Sequence, residues 1–322
     1  MAGLTEEKFE QKKAVLIERT ALALGVSSEE AADLLSIPRQ QSVRVNTLKI
    51  SPEEARSALQ ELGVSATQVP WMHEGLTVSE GMSLIRDSEL AANGEVYIQN
   101  AASWLPVLAL SPQPGQAILD MCAAPGGKTS HIAQVTSNAS QLTANDNSRP
   151  RLHKLQQNLS RLGVESVDYT LHDATRLSYK LGSELFDAIL LDAPCSGEGM
   201  MQLDSKKDFE SWSVAHIKRL NQLQKKLIVQ AWQLLKPGGT LVYSTCTIAP
   251  EENEAVIDYL LRHNDDARLE DLAGFRMTLP NVSAAVQQWN GKQYNPVIER
   301  TLRLHPSPQV EAFFVAKLTK TT

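Results

Sequence analysis

The chain has 322 residues, of which 42% are hydrophobic and 21% charged, with a formal net charge of −6. That composition fits one large or two modest packed domains and excludes a disordered chain. No apolar run approaches the roughly 18 residues of a membrane span, and the charged start MAGLTEEKFEQKK lacks a signal core, so a cytoplasmic protein is expected.

In chain order, residues 5–24 are predicted as a helix, with Phe9, Val15, Leu16 and Leu22 among its apolar positions. SSEEAADLL (27–35) begins with a Ser cap and early acids, which predicts a short helix ended by Pro38. SVRVNTLKI (42–50) alternates and is β-branched, a strand; SPEEARSALQELG (51–63) is a capped helix closed by Gly63. Short extended pieces follow to about residue 90, completing a small α+β unit assigned to residues 1–92. From there to Thr322 strands and helices alternate. Strands are predicted at 116–121, 141–146, 166–171, 186–192 and 240–245, with helices at 127–137, 148–162, 213–235 and 251–263. This alternation implies an α/β domain over 93–322 built on a doubly wound, mostly parallel sheet. AFFVAKL (312–318) is predicted as a terminal strand, antiparallel at or near the sheet edge.

The acidity belongs to the first 100 residues, which carry 9 Lys/Arg against 15 Asp/Glu; the other 222 carry 22 of each. Basic residues gather at Arg149, Arg151, Lys154 and Arg161, and again at Lys206, Lys207, Lys218, Arg219, Lys225 and Lys226. With Arg44 they are candidates for phosphate contacts, although each group also reads as an ordinary solvated helix face. The three cysteines, Cys122, Cys195 and Cys246, contain no C-x-x-C, so neither a zinc site nor a disulfide framework is expected.

Ligands of doubly wound sheets bind beyond the carboxyl ends of the strands. Asp120, Asp146, Asp173, Asp192 and Cys246 all fall at or just after predicted strand ends. DMCAAPGGKTS (120–130) ends like a triphosphate loop, but the first glycine of that motif should stand at 122, where the residue is Cys122. Pro125 also removes an N–H from a loop whose work is to donate them. A triphosphate site, with Asp192 as a Mg²⁺ ligand, is the second reading. The first is an adenosine ligand without a triphosphate. Asp146 lies 20 residues after Gly126, a spacing suited to a ribose acceptor, and Asp173 stands where an acid can meet an adenine edge. A turn-capping Asp is the ordinary alternative for Asp173. The combination suggests S-adenosylmethionine; NAD is weaker because G-x-G-x-x-G is absent.

LDAPCSGEG (191–199) and YSTCTIAPEENE (243–254) each put a cysteine just past a strand end beside that ligand. Methylation of a pyrimidine at carbon 5 needs such a nucleophile. Thiolate attack at carbon 6 breaks aromaticity and makes carbon 5 reactive, assisted by a donor at ring N3.

DMCAAPGGKT, DAPCSGEG and YSTCT…PEENE resemble the motifs of the Sun-type (NSUN) family of RNA cytosine-C5 methyltransferases. QSVRVNTLKIS (41–51), VPWMHEG (69–75) and VYIQNAAS (96–103) are similar to the bacterial 16S rRNA branch. The resemblance runs from about residue 40 to 318. It departs at RLHPSPQVEAFFVA, where Ala312 replaces an expected Gly, and the rRNA enzymes usually continue into a further RNA-binding region.

The resemblance implies a Rossmann-like methyltransferase domain behind an RNA-binding-type unit, and 5-methylcytosine formation in RNA, rRNA before tRNA. It implies Cys246 as nucleophile, Cys195 assisting product release, Asp192 at the target base and the methyl group, and Lys128 as the partner of Asp192. Cys122, Ala123, Ala124, Pro125, Gly126, Gly127 and Lys128, with Asp146, Asp173 and Asp192, would hold S-adenosylmethionine. A monomer is expected. A DNA enzyme of the same chemistry, attacking with the Pro-Cys cysteine, and a non-catalytic RNA-binding factor are the alternatives.

Overall fold

The computed structural model describes residues 4–322. Two helices lead. Glu6–Leu24 ends at Gly25, which takes a left-handed φ of 69°, and Ser28–Ser36 is capped by the Ser27 hydroxyl. Their apolar faces, through Phe9, Leu16 and Leu35, join the core of the large sheet rather than that of the small one. The small sheet is antiparallel, in the order Ser65–Gln68, Gly75–Glu80, Gln41–Val45, Val96–Ile98. The helix Pro52–Glu61, with a full capping box from Ser51 and Glu54, covers it, and Val43, Leu59, Leu76 and Ile85 form its own core.

The large sheet has nine strands. Ala117–Asp120 lies at the centre of the five parallel strands, next to Gln141–Asp146 on one side and Phe186–Asp192 on the other. Val167–Leu171 continues the first side and Leu235–Thr245 the second, all parallel. The chain order reverses about Ala117–Asp120, so that strand and Phe186–Asp192 border the topological switch point. The near-continuous apolar run of FDAILLD is what a strand covered on both faces requires.

Phe313–Lys320 pairs antiparallel with Leu235–Thr245, as expected, but three more short strands lie outside it: Leu302–Leu304 with Val282–Ser283 beyond it, and Ala267–Leu269, which pairs with the other end of Phe313–Lys320. It therefore sits third from the edge, and its buried Phe314 and Ala316 explain its apolar character.

Two elements stop short of their sequence-based limits for a visible reason. The strand expected to reach residue 50 ends at Val45, because the Asn46 side chain turns away to donate 2.8 Å hydrogen bonds to the carbonyls of Gly94 and Leu162. The helix expected from residue 251 begins at Glu254, because Asn253 is held by Thr245 and by the Thr247 carbonyl.

Arg44 corrects an expectation. As a phosphate contact it would be exposed, yet it is 1% exposed. Its guanidinium crosses from the small sheet to the helix Gly127–Val135. There it donates to the Ser130 hydroxyl at 2.7 Å, the Gly127 carbonyl at 3.3 Å and the Gln134 amide oxygen, and it lies over the Tyr97 ring. Burial lowers its pKa to about 10, which still leaves it charged. Arg44 is thus a tie between the two sheets. Arg44→Met should leave several buried acceptors unpaired and lower the unfolding free energy by about 2–4 kcal/mol in urea titrations. An unchanged midpoint would contradict the tie.

Candidate active site

The strand Ala117–Asp120 runs into a tight loop and then the helix Gly127–Val135. Gly126 has φ 107°, and a Cβ there would come within 2.8 Å of Leu155. A Cβ on Gly127 would meet the Gln99 side chain at 2.9 Å. The two glycines therefore let the loop pass between the helix Arg149–Arg161 and the end of the strand Val96–Ile98.

Behind the loop is a cavity of ≈ 510 Å³, within the roughly 300–1,000 Å³ of small-molecule sites. Asp120, Cys122, Ala123, Ala124, Lys128 and Asp192 border it on one side, and Tyr97, Asn100 and Met200 on the other. Asp120 accepts the Thr129 hydroxyl at 2.7 Å through one oxygen, while the other is buried without a partner. Burial raises this carboxyl to about 6. A volume of nucleoside size, a loop open to close backbone approach and an unpaired acceptor fit an amino- and hydroxyl-bearing adenosine cofactor.

Lys128 donates to Asp192 at 2.7 Å, and Ser244 donates to the other carboxylate oxygen at 2.7 Å. The two contacts fix the plane of the carboxylate at the cavity wall. Burial works against the Lys128 charge, but Asp192 outweighs it and holds the ammonium above its ordinary range. Cys246 is close enough to add to that effect.

Three residues past Asp192 and two past Ser244, the sulfurs of Cys195 and Cys246 stand 3.4 Å apart. The contact with Cys246, then burial, pushes the Cys195 thiol well up, so it keeps its proton at neutral pH. Beneath the pair lies a buried polar cluster. The hydroxyls of Ser196 and Thr247 meet at 2.8 Å, Thr247 donates to Glu198 at 3.1 Å, and Glu252 accepts from the Ser196 N–H at 3.0 Å and from Gln224 at 2.8 Å. Burial, reinforced by Glu198, raises Glu252 to about 7.

The structure thus brings Cys122, Lys128, Asp192, Cys195, Cys246 and the loop residues to one place. It treats the other two acids differently. Asp146, outside the cavity lining, is buried, accepts from the Ser148 N–H at 2.9 Å and pairs with Arg151 at 3.2 Å. Asp173 is exposed, outside the cavity lining, and caps its own turn by accepting from Thr175. Burial drives the Cys122 thiol far up, as suits packing rather than nucleophilic attack.

Among the basic groups, Arg161 donates to the Ala91 carbonyl, Lys206 pairs with Glu6 and Lys225 lies over Tyr259. Arg149, Lys154, Lys207, Lys218, Arg219 and Lys226 are exposed. Sequence reasoning gave no role to Ser244, Glu198 or Glu252, although the acids lie inside the quoted motifs; polar residues between apolar strand ends were the available signal.

The chain is similar to known methyltransferases over most of its length. The family model for 16S rRNA methyltransferase RsmB/F matches residues 107–319, and that for the N-terminal domain of 16S rRNA methyltransferase RsmF matches residues 14–101. A tRNA (cytosine(49)-C(5))-methyltransferase of Pyrococcus abyssi is 37% identical over 98% of this chain and 98% of its own length. Ribosomal RNA small subunit methyltransferase F of Aeromonas salmonicida is 41% identical over 88% of this chain, which spans only 58% of that protein. Among solved structures, a methyltransferase homolog from Pyrococcus horikoshii superposes with TM-score 0.79 at 34% identity, covering 95% of this chain and 99% of that one. NSun6 from the same organism, solved with SFG, superposes with TM-score 0.78 at 26% identity over 95% of this chain and 98% of its own.

The Glu252 carboxyl carries a pH signature. Its folded pKa of about 7 exceeds the ordinary 4.5, so the folded chain keeps a proton that the unfolded chain has released. Its contribution is full below about 4.5 and is lost as pH climbs to about 7. Urea unfolding at about pH 5 and about pH 8 should show a loss for the parent chain that Glu252→Gln reduces by on the order of 2 kcal/mol. Equal losses in both proteins would contradict the assignment.

Proposed function

The chain belongs to the RsmB/F family of S-adenosylmethionine-dependent RNA cytosine-C5 methyltransferases, and from that membership and the site's geometry we propose how its residues work. The observation that carries the proposal is the pair of sulfurs, 3.4 Å apart, beside a carboxylate held by Lys128 and Ser244 at the cavity wall.

Cys246, as thiolate, attacks carbon 6 of a cytosine turned out of its stack. Asp192 faces the polar edge of the base, and Lys128 keeps its orientation. Residues 122–128, with Asp120 and Asp146, would hold S-adenosylmethionine, which when bound would supply a methyl group for carbon 5. A water molecule then takes the proton on carbon 5, its electron pair re-forms the 5,6 double bond, and the carbon 6–sulfur bond breaks to expel Cys246 as thiolate. Cys195, held protonated beside it, assists that release. Asp173 stands on the same rim and is a weaker candidate for the adenine edge.

The substrate we favour is rRNA, because both matched family models are of 16S rRNA enzymes. A tRNA reading is supported by the Pyrococcus abyssi relative, which this chain matches over 98% of that protein's length. Among the described residues no helix is long and apolar enough to cross a membrane. The reading is completed by a cytoplasmic monomer that meets RNA through exposed basic residues such as Arg149, Lys154 and Lys218.

Two outcomes follow. With tritiated S-adenosylmethionine and RNA from a strain lacking the gene, label should appear at cytosine C5; none in either rRNA or tRNA would sink the reading. Cys195→Ala should accumulate a covalent RNA adduct on denaturing gels, and Cys246→Ala should form none and lose on the order of 10³-fold in turnover. The reversed pattern would make Cys195 the nucleophile.

A further inference from the structure

The polar cluster beside the sulfurs lies outside the cavity lining and is tied to the site through the two cysteine loops, whose sulfurs stand 3.4 Å apart and whose next residues share a 2.8 Å hydroxyl contact. We infer that Thr247 and Ser196, braced by the Glu198–Glu252 pair, are positioning residues that lock the two cysteine loops into one register. The inference rests on the two-cysteine reading above and extends it to residues that touch neither cofactor nor base.

Connectivity carries it. Ser196 directly follows Cys195 and Thr247 directly follows Cys246, and their hydroxyls meet at 2.8 Å. Each loop therefore grips the other one residue beyond its sulfur. Glu252, from the Cys246 loop, reaches across to the Ser196 N–H at 3.0 Å. Glu198, from the Cys195 loop, reaches back to the Thr247 hydroxyl at 3.1 Å. The two acids thus cross-tie the loops reciprocally. Gln224 locks the arrangement from the helix Val214–Leu234, donating to Glu252 at 2.8 Å and to the Pro194 carbonyl at 2.9 Å. Trp212 donates to the second oxygen of Glu198 at 3.0 Å.

A final tie is steric. The Gly199 N–H donates to the Cys246 carbonyl at 2.9 Å, and a Cβ on Gly199 would lie 2.8 Å from that oxygen and 2.3 Å from the Ala312 carbonyl. Glu198, Gln224, Thr247 and Glu252 are each at most 2% exposed, so water cannot substitute for a lost partner. A buried acid pair is a costly way to gain stability, and fixing a unique geometry is its better-attested use. Here the geometry is the sulfur separation, on which attack by one thiol and assisted release by the other depend.

The test uses Thr247→Val, which removes the hydroxyl at constant shape, and Thr247→Ser, which restores it. Ser196→Ala makes the same cut from the other loop and serves if Thr247→Val fails to fold. The first readout needs neither RNA nor cofactor: diamide-driven formation of a Cys195–Cys246 disulfide, followed by peptide mass spectrometry. Thr247→Val should slow it about tenfold and lower kcat on unmodified rRNA or tRNA transcripts 10- to 100-fold, with KM within about twofold and the far-UV spectrum unchanged. Thr247→Ser should stay within about threefold of the parent chain on both counts. Disulfide formation and kcat at parental values in Thr247→Val, or a Thr247→Ser no better than Thr247→Val, would overturn the inference. If the parent chain methylates neither RNA, the two-cysteine chemistry fails, and the disulfide rates alone decide whether the cluster sets the register.

Discussion

The register between two parallel strands, Phe186–Asp192 and Leu235–Thr245, sets everything at the site. It places Asp192 opposite Ser244 and lets the serine hydroxyl hold the aspartate. Because side chains alternate along a strand, a slip of one residue would turn Asp192 away from the cavity and separate the loops that follow. With the register as it is, Cys195 and Cys246 leave neighbouring strand ends at nearly equal depth and meet. The strand Ala117–Asp120 then leads through its loop to Lys128, in the first turn of the helix Gly127–Val135, which reaches the same carboxylate. Cofactor loop, acid and two thiols are thus consequences of one sheet edge, at the point where the strand order reverses.

Such a site gathers polar groups where water is scarce, and the surrounding structure meets that cost with directed contacts. Arg44 spans the two sheets and ends on the helix that follows the cofactor loop. Arg303, on an outer strand, makes a two-pronged pair with Glu254 at 2.8 and 2.6 Å and donates to the Ile248 carbonyl at 2.8 Å. The segment after Cys246 is therefore held on one side by the Cys195 loop and on the other by the terminal strands. That double restraint explains why residues 249–253 form a turn and not the first turn of a helix. The added antiparallel strands thus brace the nucleophile loop as well as closing the sheet.

Much of this was legible in the chain. The parallel strands announced themselves by apolar runs ending in Asp120, Asp146 and Asp192, and the capped helices by Ser27 and Ser51, because those signals are local. The cysteine motifs were legible because their chemistry demands particular residue types. Arg44 was misread because an arginine on an alternating strand looks solvent-facing until a second unit packs over it. Glu198 and Glu252 stand inside the marked motifs, but their burial ran against the usual exposure of charged loop residues and was not legible. The short strands Val282–Ser283 and Leu302–Leu304 were missed because two or three residues give no measurable alternation. What escaped were contacts to distant partners outside the recognised motifs, such as Arg44 with Ser130 and Gln134.

The most direct measurement is the identity of the residue that carries the substrate. The chain would be incubated with S-adenosylmethionine and RNA containing 5-fluorocytidine, whose carbon-5 fluorine blocks release, then digested and examined by peptide mass spectrometry. The account predicts the nucleotide on Cys246, with Cys195 and Cys122 unmodified. A nucleotide on Cys195, or no covalent adduct from RNA that the chain methylates, would contradict it.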